Sequence, residues 1–317
     1  MSSISVETEE KNNTRVSFKT ILIIAGVSIG YLLLSALLIG FKPEQVLLVA
    51  LYNILYFASG ITRKFVTGFS IFVVFWILYD YMKAFPNYWF NEVHIASLYE
   101  AEKAVFGITA AGGKITPNEF WLQHHNPVLD VMSGVFYLCW VPVPMAFATY
   151  LFFKRRRQFV YFLLTFLLVN LLGFVVYYAY PAAPPWYVQV HGFDFIPLTP
   201  GNTAGLARFD AFFGITLFHD MYAKGSNVFA AMPSLHSAYP LVVFYYALKN
   251  RLGFMRIVFG IIMVGIWFAA VYTSHHYVLD VLFGIVCAIS GITLFNGLMN
   301  AKGGVYRAVQ KLVTATL

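Results

Sequence analysis

Residues 271–298 read VYTSHHYVLDVLFGIVCAISGITLFNGL. From Tyr277 onward the stretch carries a single charged residue, Asp280, and as a helix it is long enough to cross a hydrocarbon core of about 30 Å. Two adjacent histidines, His275 and His276, sit at its mouth, and Asp280 follows one turn after the second. If the chain turns helical at about His276, then His276 and Asp280 share one face. A carboxylate there holds one imidazole nitrogen as N–H and leaves the other free as a nucleophile. Taken singly, each residue has a plainer reading. A histidine near a membrane interface is more often hydrogen-bonded filler than a catalyst, and Asp280 alone could hold two helices together. The combination weighs against this, because an ionisable pair at a span end is costly to keep without a use.

Outward from that stretch, the whole 317-residue chain has the same character. Sixty per cent of residues are hydrophobic, 19% aromatic and 11% charged, against about 25% charged in a soluble domain. The fold expected is all-α and polytopic, with about eight transmembrane helices near 18–39, 45–61, 65–81, 128–153, 159–178, 234–248, 257–272 and 277–298. The polar stretch 1–16 reads as a tail, 17–64 as two N-terminal spans, and the first apolar run as a signal anchor. Two long segments, 86–127 and 181–231, read as loops, and 301–317 as a C-terminal tail. Within the first loop, VHIASLYEAEKAVFGI (93–108) has the spacing of an interfacial amphipathic helix. TPNEFW after it marks a helix start, with Thr116 as cap, Pro117 first and Glu119 closing a capping box. Cys139 and Cys287 both fall in apolar runs and make no disulfide framework.

The net charge of +7 does not point to nucleic acid, because the basic residues cluster beside spans. Lys11, Arg15 and Lys19 fall on the same side as Arg63-Lys64, Lys154 to Arg157, Lys249, Arg251, Arg256, Lys302, Arg307 and Lys311. Only Lys42, Lys83, Lys103, Lys114, Arg208 and Lys224 fall on the other. This bias puts both termini in the cytoplasm and both long loops outside. All eight histidines, His94, His124, His125, His191, His219, His236, His275 and His276, then lie at the outer face. Filler would use both faces, so the one-sided placement points to a reactive site there.

A second histidine lies upstream in AAMPSLHSA (230–238). Two histidines and one carboxylate suit phosphoryl transfer by a covalent route. His276 is the candidate nucleophile and His236 the candidate acid and base. His236 follows Pro233 and Ser234, where a helix begins, and free N–H groups at that end favour a phosphate. Fixed positive charge is also needed. Arg208, in AGLARFDAFFG (204–214), is the best outer candidate, ahead of Lys83 and Lys224, because Gly201, Gly205 and Gly214 permit close backbone approach. Ser234, His275, Tyr187 and Asp210 join Arg208 as candidate phosphate- and substrate-binding residues, although each could be an ordinary structural residue. HHNPVLDVMSG (124–134) echoes HHYVLDVLFG. Its His125 and Asp130 are five apart with Pro127 between, so they do not share a helix face, and Asp130 reads as a structural polar residue or a site lining. No HExxH pattern or comparable ligand pair supports a metal, and no cofactor is expected.

At these residues the chain resembles a family. PSLHSA and HHYVLD resemble signatures of the membrane phosphatases of the type 2 phosphatidic acid phosphatase superfamily. YPAAPPWY (180–187), AGLARFDAFFG, AAMPSLHSA and YTSHHYVLDVLFG in order are most similar to inositol phosphorylceramide synthases. The resemblance implies a six-helix catalytic core, over 65–300 here, with the site at its non-cytoplasmic end. By motif position it puts a metal-free phosphohistidine triad on His236, His276 and Asp280. It implies transfer of phosphoinositol from phosphatidylinositol to the primary hydroxyl of ceramide, releasing diacylglycerol; the alternative is a lipid phosphatase with water as acceptor. Membrane lipids are then the partners, and nothing in the sequence specifies a regulatory subunit or a homo-oligomer. The superfamily's first signature, a lysine followed by an arginine-proline, is missing. Ala269 and Ala270 stand near where the third signature has its arginine, which makes Arg208 more important. The fungal synthases are longer, which suggests a bacterial inner-membrane member.

Overall fold

The structure is a computed structural model that describes residues 16–316 apart from 224 and 226. The expected N-terminal tail, but for Val16, and Lys224 lie outside the described residues. The chain divides into two compact units, 1–84 with 307–317, and 85–306.

The first unit opens with three helices, α1 (Phe18–Ile39), α2 (Pro43–Ala58) and α3 (Gly60–Tyr81). Ser17 and Ser59 cap α1 and α3 by accepting from the backbone N–H groups of Thr20 and Thr62. Lipid tails give apolar helices no hydrophobic reason to associate, so polar pairs do the joining. Asn53 of α2 donates to Ser28 of α1 at 3.0 Å, and Tyr81 of α3 meets Ser35 of α1 at 2.8 Å. Lys83 pairs with Asp80 at 2.8 Å.

In the second unit α4 (Ala96–Phe106), a small antiparallel hairpin (Ile108–Ala110 with Gly113–Ile115) and α5 (Pro117–Gln123) occupy the first expected loop. α5 starts as its sequence says: Thr116 accepts from the Glu119 N–H and Glu119 returns the bond to the Thr116 N–H at 2.7 Å. Then come α6 (Pro127–Leu138), α7 (Pro142–Lys154) and α8 (Arg156–Ala179). The second expected loop holds α9 (Pro185–His191), α10 (Ala207–Phe213) and α11 (Leu217–Ala223). α12 (Leu235–Lys249), α13 (Met255–Tyr272) and α14 (Val278–Asn300) complete the unit. α12 is central and packs against α7, α8, α13 and α14; α13 also packs on α6, and α14 on α8. The chain ends in a helix, α15 (Gly304–Thr316), where a tail was expected. It buries Val309 and Val313 and exposes Arg307 and Lys311.

By length and composition, five helices among the described residues can cross a membrane: α1, α3, α8, α13 and α14. The span expected over 128–153 is broken into α6 and α7, which meet at 40°. Pro142 cannot donate to the carbonyl a turn before it, so α6 ends and Pro142 starts the next helix. Counted as one span, the pair makes six. α2, with 16 residues, and α12, with 15, are shorter than the expectation of eight full spans required.

One close approach sets the distance between the two histidine-bearing elements. A methyl group at Gly284 of α14 would run into the backbone carbonyl of Ser234, which caps α12. The Ser234 N–H in turn donates to the Asp280 carbonyl at 2.9 Å. Gly284→Ala is therefore expected to push α12 off α14 and cost about 1–3 kcal/mol of stability. A thermal unfolding scan checks it, with no loss expected for an alanine at Gly297, which has open space around its Cα and lies in a helix that alanine favours over glycine.

Candidate active site

The site is built on the turn between α13 and α14. α13 ends where the His275 and His276 N–H groups both donate to the Ala270 carbonyl, at 3.1 and 3.0 Å. Ser274 takes a left-handed φ of 59° to reverse the chain, a cost that a serine bears only when neighbours over-determine the turn. Both former loops supply those neighbours. The Gly205 N–H donates to Thr273 and the Trp186 N–H to Ser274, at 2.9 and 3.0 Å. Gln189 donates to the Ser274 hydroxyl. Asn118 of α5, fully buried, donates to the carbonyls of Val271 and His276 at 2.8 and 3.0 Å. The Glu102 carboxylate of α4 accepts from the Val278 and Leu279 N–H groups at 2.9 and 3.0 Å.

On that turn the His276 ring is fixed at both nitrogens. Nδ1 lies 3.0 Å from the Ala231 carbonyl, which can only accept, so Nδ1 carries the proton and Nε2 a lone pair. Nε2 faces His236 Nδ1 at 3.0 Å, which must then donate. The expected His276–Asp280 contact is present but longer. Helix begins at Val278 rather than at His276, and the Asp280 carboxylate stands 3.6 Å from Nδ1, beyond a hydrogen bond. Its Oδ2 accepts from the Tyr277 N–H at 2.8 Å, while Oδ1 has no hydrogen-bond partner among the described residues. Ala231 therefore sets the tautomer, and the Asp280 carboxyl stands beside it. Burial holds the His276 pKa down at about 4, so the ring is neutral across the physiological range.

His236 stands in the first turn of α12. Ser234 caps that turn, accepting from the Ser237 N–H at 3.3 Å, and is itself fully buried. The Tyr137 hydroxyl of α6 lies 3.4 Å from His236 Nδ1 and 3.0 Å from the Tyr222 hydroxyl. His275 is stacked between Tyr222 and Tyr137, and its Nε2–H donates to the Thr203 carbonyl at 3.1 Å. Burial, then the neighbouring histidines, push its pKa well below the usual value. Its ring thus packs the site together, and Thr203 already takes its Nε2–H.

Arg208 lies beside the last residue of α13, Tyr272, three residues ahead of His275. Its helix shares a buried cluster with Ala269 and Ala270 through Leu206 and Phe209. The small residues at the two alanines, and Gly205 against the Thr273 backbone, let this segment lie close to α13. Arg208 Nε donates to Asp130 at 2.6 Å, Tyr272 donates to the same oxygen at 2.8 Å, and the guanidinium lies over the Tyr272 ring. Its Nη2 is buried with no hydrogen-bond partner among the described residues. Asp130 thus pairs with Arg208. His125 stands outside α6, so the two share no helix face, yet the entry through Asn126 brings its Nδ1 within 3.6 Å of Asp130.

Two candidate substrate contacts have other work. Both Asp210 oxygens accept backbone N–H groups, from Phe218 and His219, at the start of α11. The Tyr187 hydroxyl accepts from the Ile196 N–H and donates to the Asp194 carbonyl, pinning that loop. Glu102 and Asn118 are the residues that sequence reasoning passed over. For Glu102 a signal existed: Leu98 and Glu102, one turn apart, form the buried face of α4, so an acid stands on the apolar stripe. An apolar groove of about 920 Å³ runs along α6, α12 and α13, lined by Met132, Phe136, Phe244, Ile261 and Phe268.

Residues 112–294 match the model of the PAP2 superfamily. The chain is 48% identical over 276 residues to a phosphoinositol dihydroceramide synthase of Bacteroides thetaiotaomicron, covering 86% of this chain and 90% of that one. It is 28% identical over 177 residues to an inositol phosphorylceramide synthase of Candida albicans, 52% of this chain and 37% of that one. The catalytic subunit of the Schizosaccharomyces pombe inositol phosphorylceramide synthase is 26% identical over 228 residues, 69% and 51% of the two chains. The chain thus spans about half or less of these fungal relatives. No solved structure matches.

Proposed function

The chain belongs to the PAP2 superfamily, and from that membership we propose that it is a membrane phosphotransferase moving phosphoinositol from phosphatidylinositol to ceramide. The observation that carries this is the His276–His236 contact, with the Nε2 lone pair of a neutral, fixed imidazole aimed at its partner, in a chain nearly half identical to a protein named phosphoinositol dihydroceramide synthase. In the first step His276 Nε2 attacks the phosphodiester phosphorus and the bond to the glycerol oxygen breaks. His236 gives that oxygen its proton, and diacylglycerol leaves. In the second step His236 takes the proton of the ceramide primary hydroxyl. Its oxygen attacks the phosphohistidine, and inositol phosphorylceramide leaves with His276 restored. The 3.0 Å contact leaves no room for phosphorus between the rings, so the donor parts them on entry. Arg208 binds the phosphate oxygens with the end that Asp130 leaves free. A metal has no part in these steps.

The chain is an integral membrane protein. The lysine and arginine bias supports cytoplasmic termini and a site on the outer face of a bacterial inner membrane, where both lipids reach it laterally. The test uses purified protein in detergent with labelled phosphatidylinositol and either ceramide or dihydroceramide, with chelator throughout. Label on the sphingolipid is expected. Label released only as water-soluble inositol phosphate would make the protein a phosphodiesterase, and label transferred from other phospholipids but not this one would replace the head group.

A further inference from the structure

α14 presents its first turn to the site, and free N–H groups in a buried helix start need acceptors. The Tyr277 N–H has Asp280. The next two have Glu102, whose carboxylate is fully buried and takes one N–H on each oxygen. The carboxylate comes from α4, far away in sequence, and no other acceptor is recorded for those two donors. The pair it clamps is followed at once by Asp280 and preceded by His276 with Tyr277 between.

We propose that Glu102 is a positioning residue of the phosphotransfer site, one whose carboxylate locks the start of α14 and so holds His276 against Ala231 and His236. The inference rests on the phosphotransferase reading. Glu102 does not touch the reacting atoms; it acts through the backbone of Val278 and Leu279.

Its environment gives the role a signature in pH. Asp280 and Tyr277 of the α14 start act on it, Tyr99, Glu119 and Tyr180 surround Tyr277, and Lys103, the next residue of α4, lies over the Tyr99 ring. No cation is recorded against it among the described residues. Burial above all, with a smaller contribution from Asp280, raises its pKa to about 7, while the two N–H groups oppose the rise. Only the ionised form offers an acceptor on both oxygens without a proton in the way. Turnover therefore falls as pH drops through 7. Stability has the opposite sign. A carboxyl whose folded pKa lies above its unfolded value of about 4.5 contributes stability that is full below 4.5 and lost as pH rises through 7. If the group only held the fold together, activity would follow stability; as a positioning group it makes the two diverge. His276, with its pKa near 4, does not produce a limb at 7.

The experiment measures kcat and KM for transfer from phosphatidylinositol to ceramide between pH 5.5 and 8.5, with thermal unfolding alongside. It compares the full chain with Glu102→Gln and Glu102→Asp. Glutamine keeps one acceptor oxygen. It is expected to lower kcat about ten- to a hundredfold, the worth of one hydrogen bond to a charged group. KM is expected to change less than about twofold, the acid limb near pH 7 to disappear, and the unfolding temperature at pH 8 to hold or rise. Aspartate keeps the charge but is one methylene short, and is expected to retain an acid limb at reduced kcat. Wild-type kcat and an unchanged acid limb in Glu102→Gln overturn the proposal, as does a loss of kcat matched by a loss of folded protein. If the wild type itself transfers nothing, the phosphotransferase reading fails separately. Glu102 is then decided by carbethoxylation of His276 with diethyl pyrocarbonate, mapped by mass spectrometry. Faster modification in Glu102→Gln supports the proposal, and equal rates overturn it.

Discussion

His276→Ala is expected to lower phosphoinositol transfer by roughly 10⁴- to 10⁶-fold, the range seen when a covalent nucleophile is removed. The size follows from how the ring is held. Nδ1 is spoken for by Ala231 and Nε2 lies in line with His236, so neither His275 nor water inherits the geometry. His275 cannot substitute, because its Nε2–H is taken by Thr203 and its ring is stacked between two tyrosines. The fold should survive, since the turn is held through the backbone of His276 by Asn118 and by Ala270. The measurement is single-turnover transfer together with an alkaline quench for labelled enzyme. Phosphohistidine is expected in the wild type and none in the variant. Residual transfer above about one per cent would remove His276 from the nucleophile's role, since a loss of about 10²-fold is what misplacement of a group alone can cost.

Arg208→Ala is expected to fail twice. Removing a charged clamp from the phosphate lowers kcat/KM by about 10²- to 10³-fold. It also strands the Asp130 carboxylate, which is 7% exposed. Breaking a buried ion pair from one side costs about 3–5 kcal/mol, and the lower end applies here because the arginine side chain keeps 21% of its surface exposed. The double variant Arg208→Met with Asp130→Asn separates the two losses. Its stability should return to near the wild-type value, because no unpaired charge is left, while transfer stays low. Arg208→Lys should restore neither in full, since an ammonium cannot satisfy Asp130 and a phosphate with one planar fork. A double variant that regains transfer would make Arg208 a structural residue only. Denaturant unfolding and steady-state kinetics on the same preparations give both readings.

The sequence by itself determined the class of molecule and the reactive motif, because both are local properties. Low charge and long apolar runs specify membrane helices whatever surrounds them. PSLHSA and HHYVLD place His236 and Asp280 in the first turns of helices, where the structure has them, and His276 just ahead of one. Thr116 and Glu119 cap α5 for the same reason: the bonds span three residues. Proline had a local effect that the span pattern hid, since hydropathy averages over Pro142 while the backbone breaks there. Tertiary structure alone decided what holds the motif. The acceptor for His276 Nδ1 is the Ala231 carbonyl, a backbone atom that leaves no trace in side-chain spacing. Asp130 meets Arg208 across 78 residues, which made a pair of two residues that looked unrelated. Asp210 and Tyr187 were drawn into backbone bonds within their own loops. Glu102 reaches α14 across 176 residues. Hydropathy and periodicity report which face of a helix is buried; they carry no information on which orphaned N–H or carbonyl in another element that face will meet, and in a low-dielectric interior it is those pairings that fix the site.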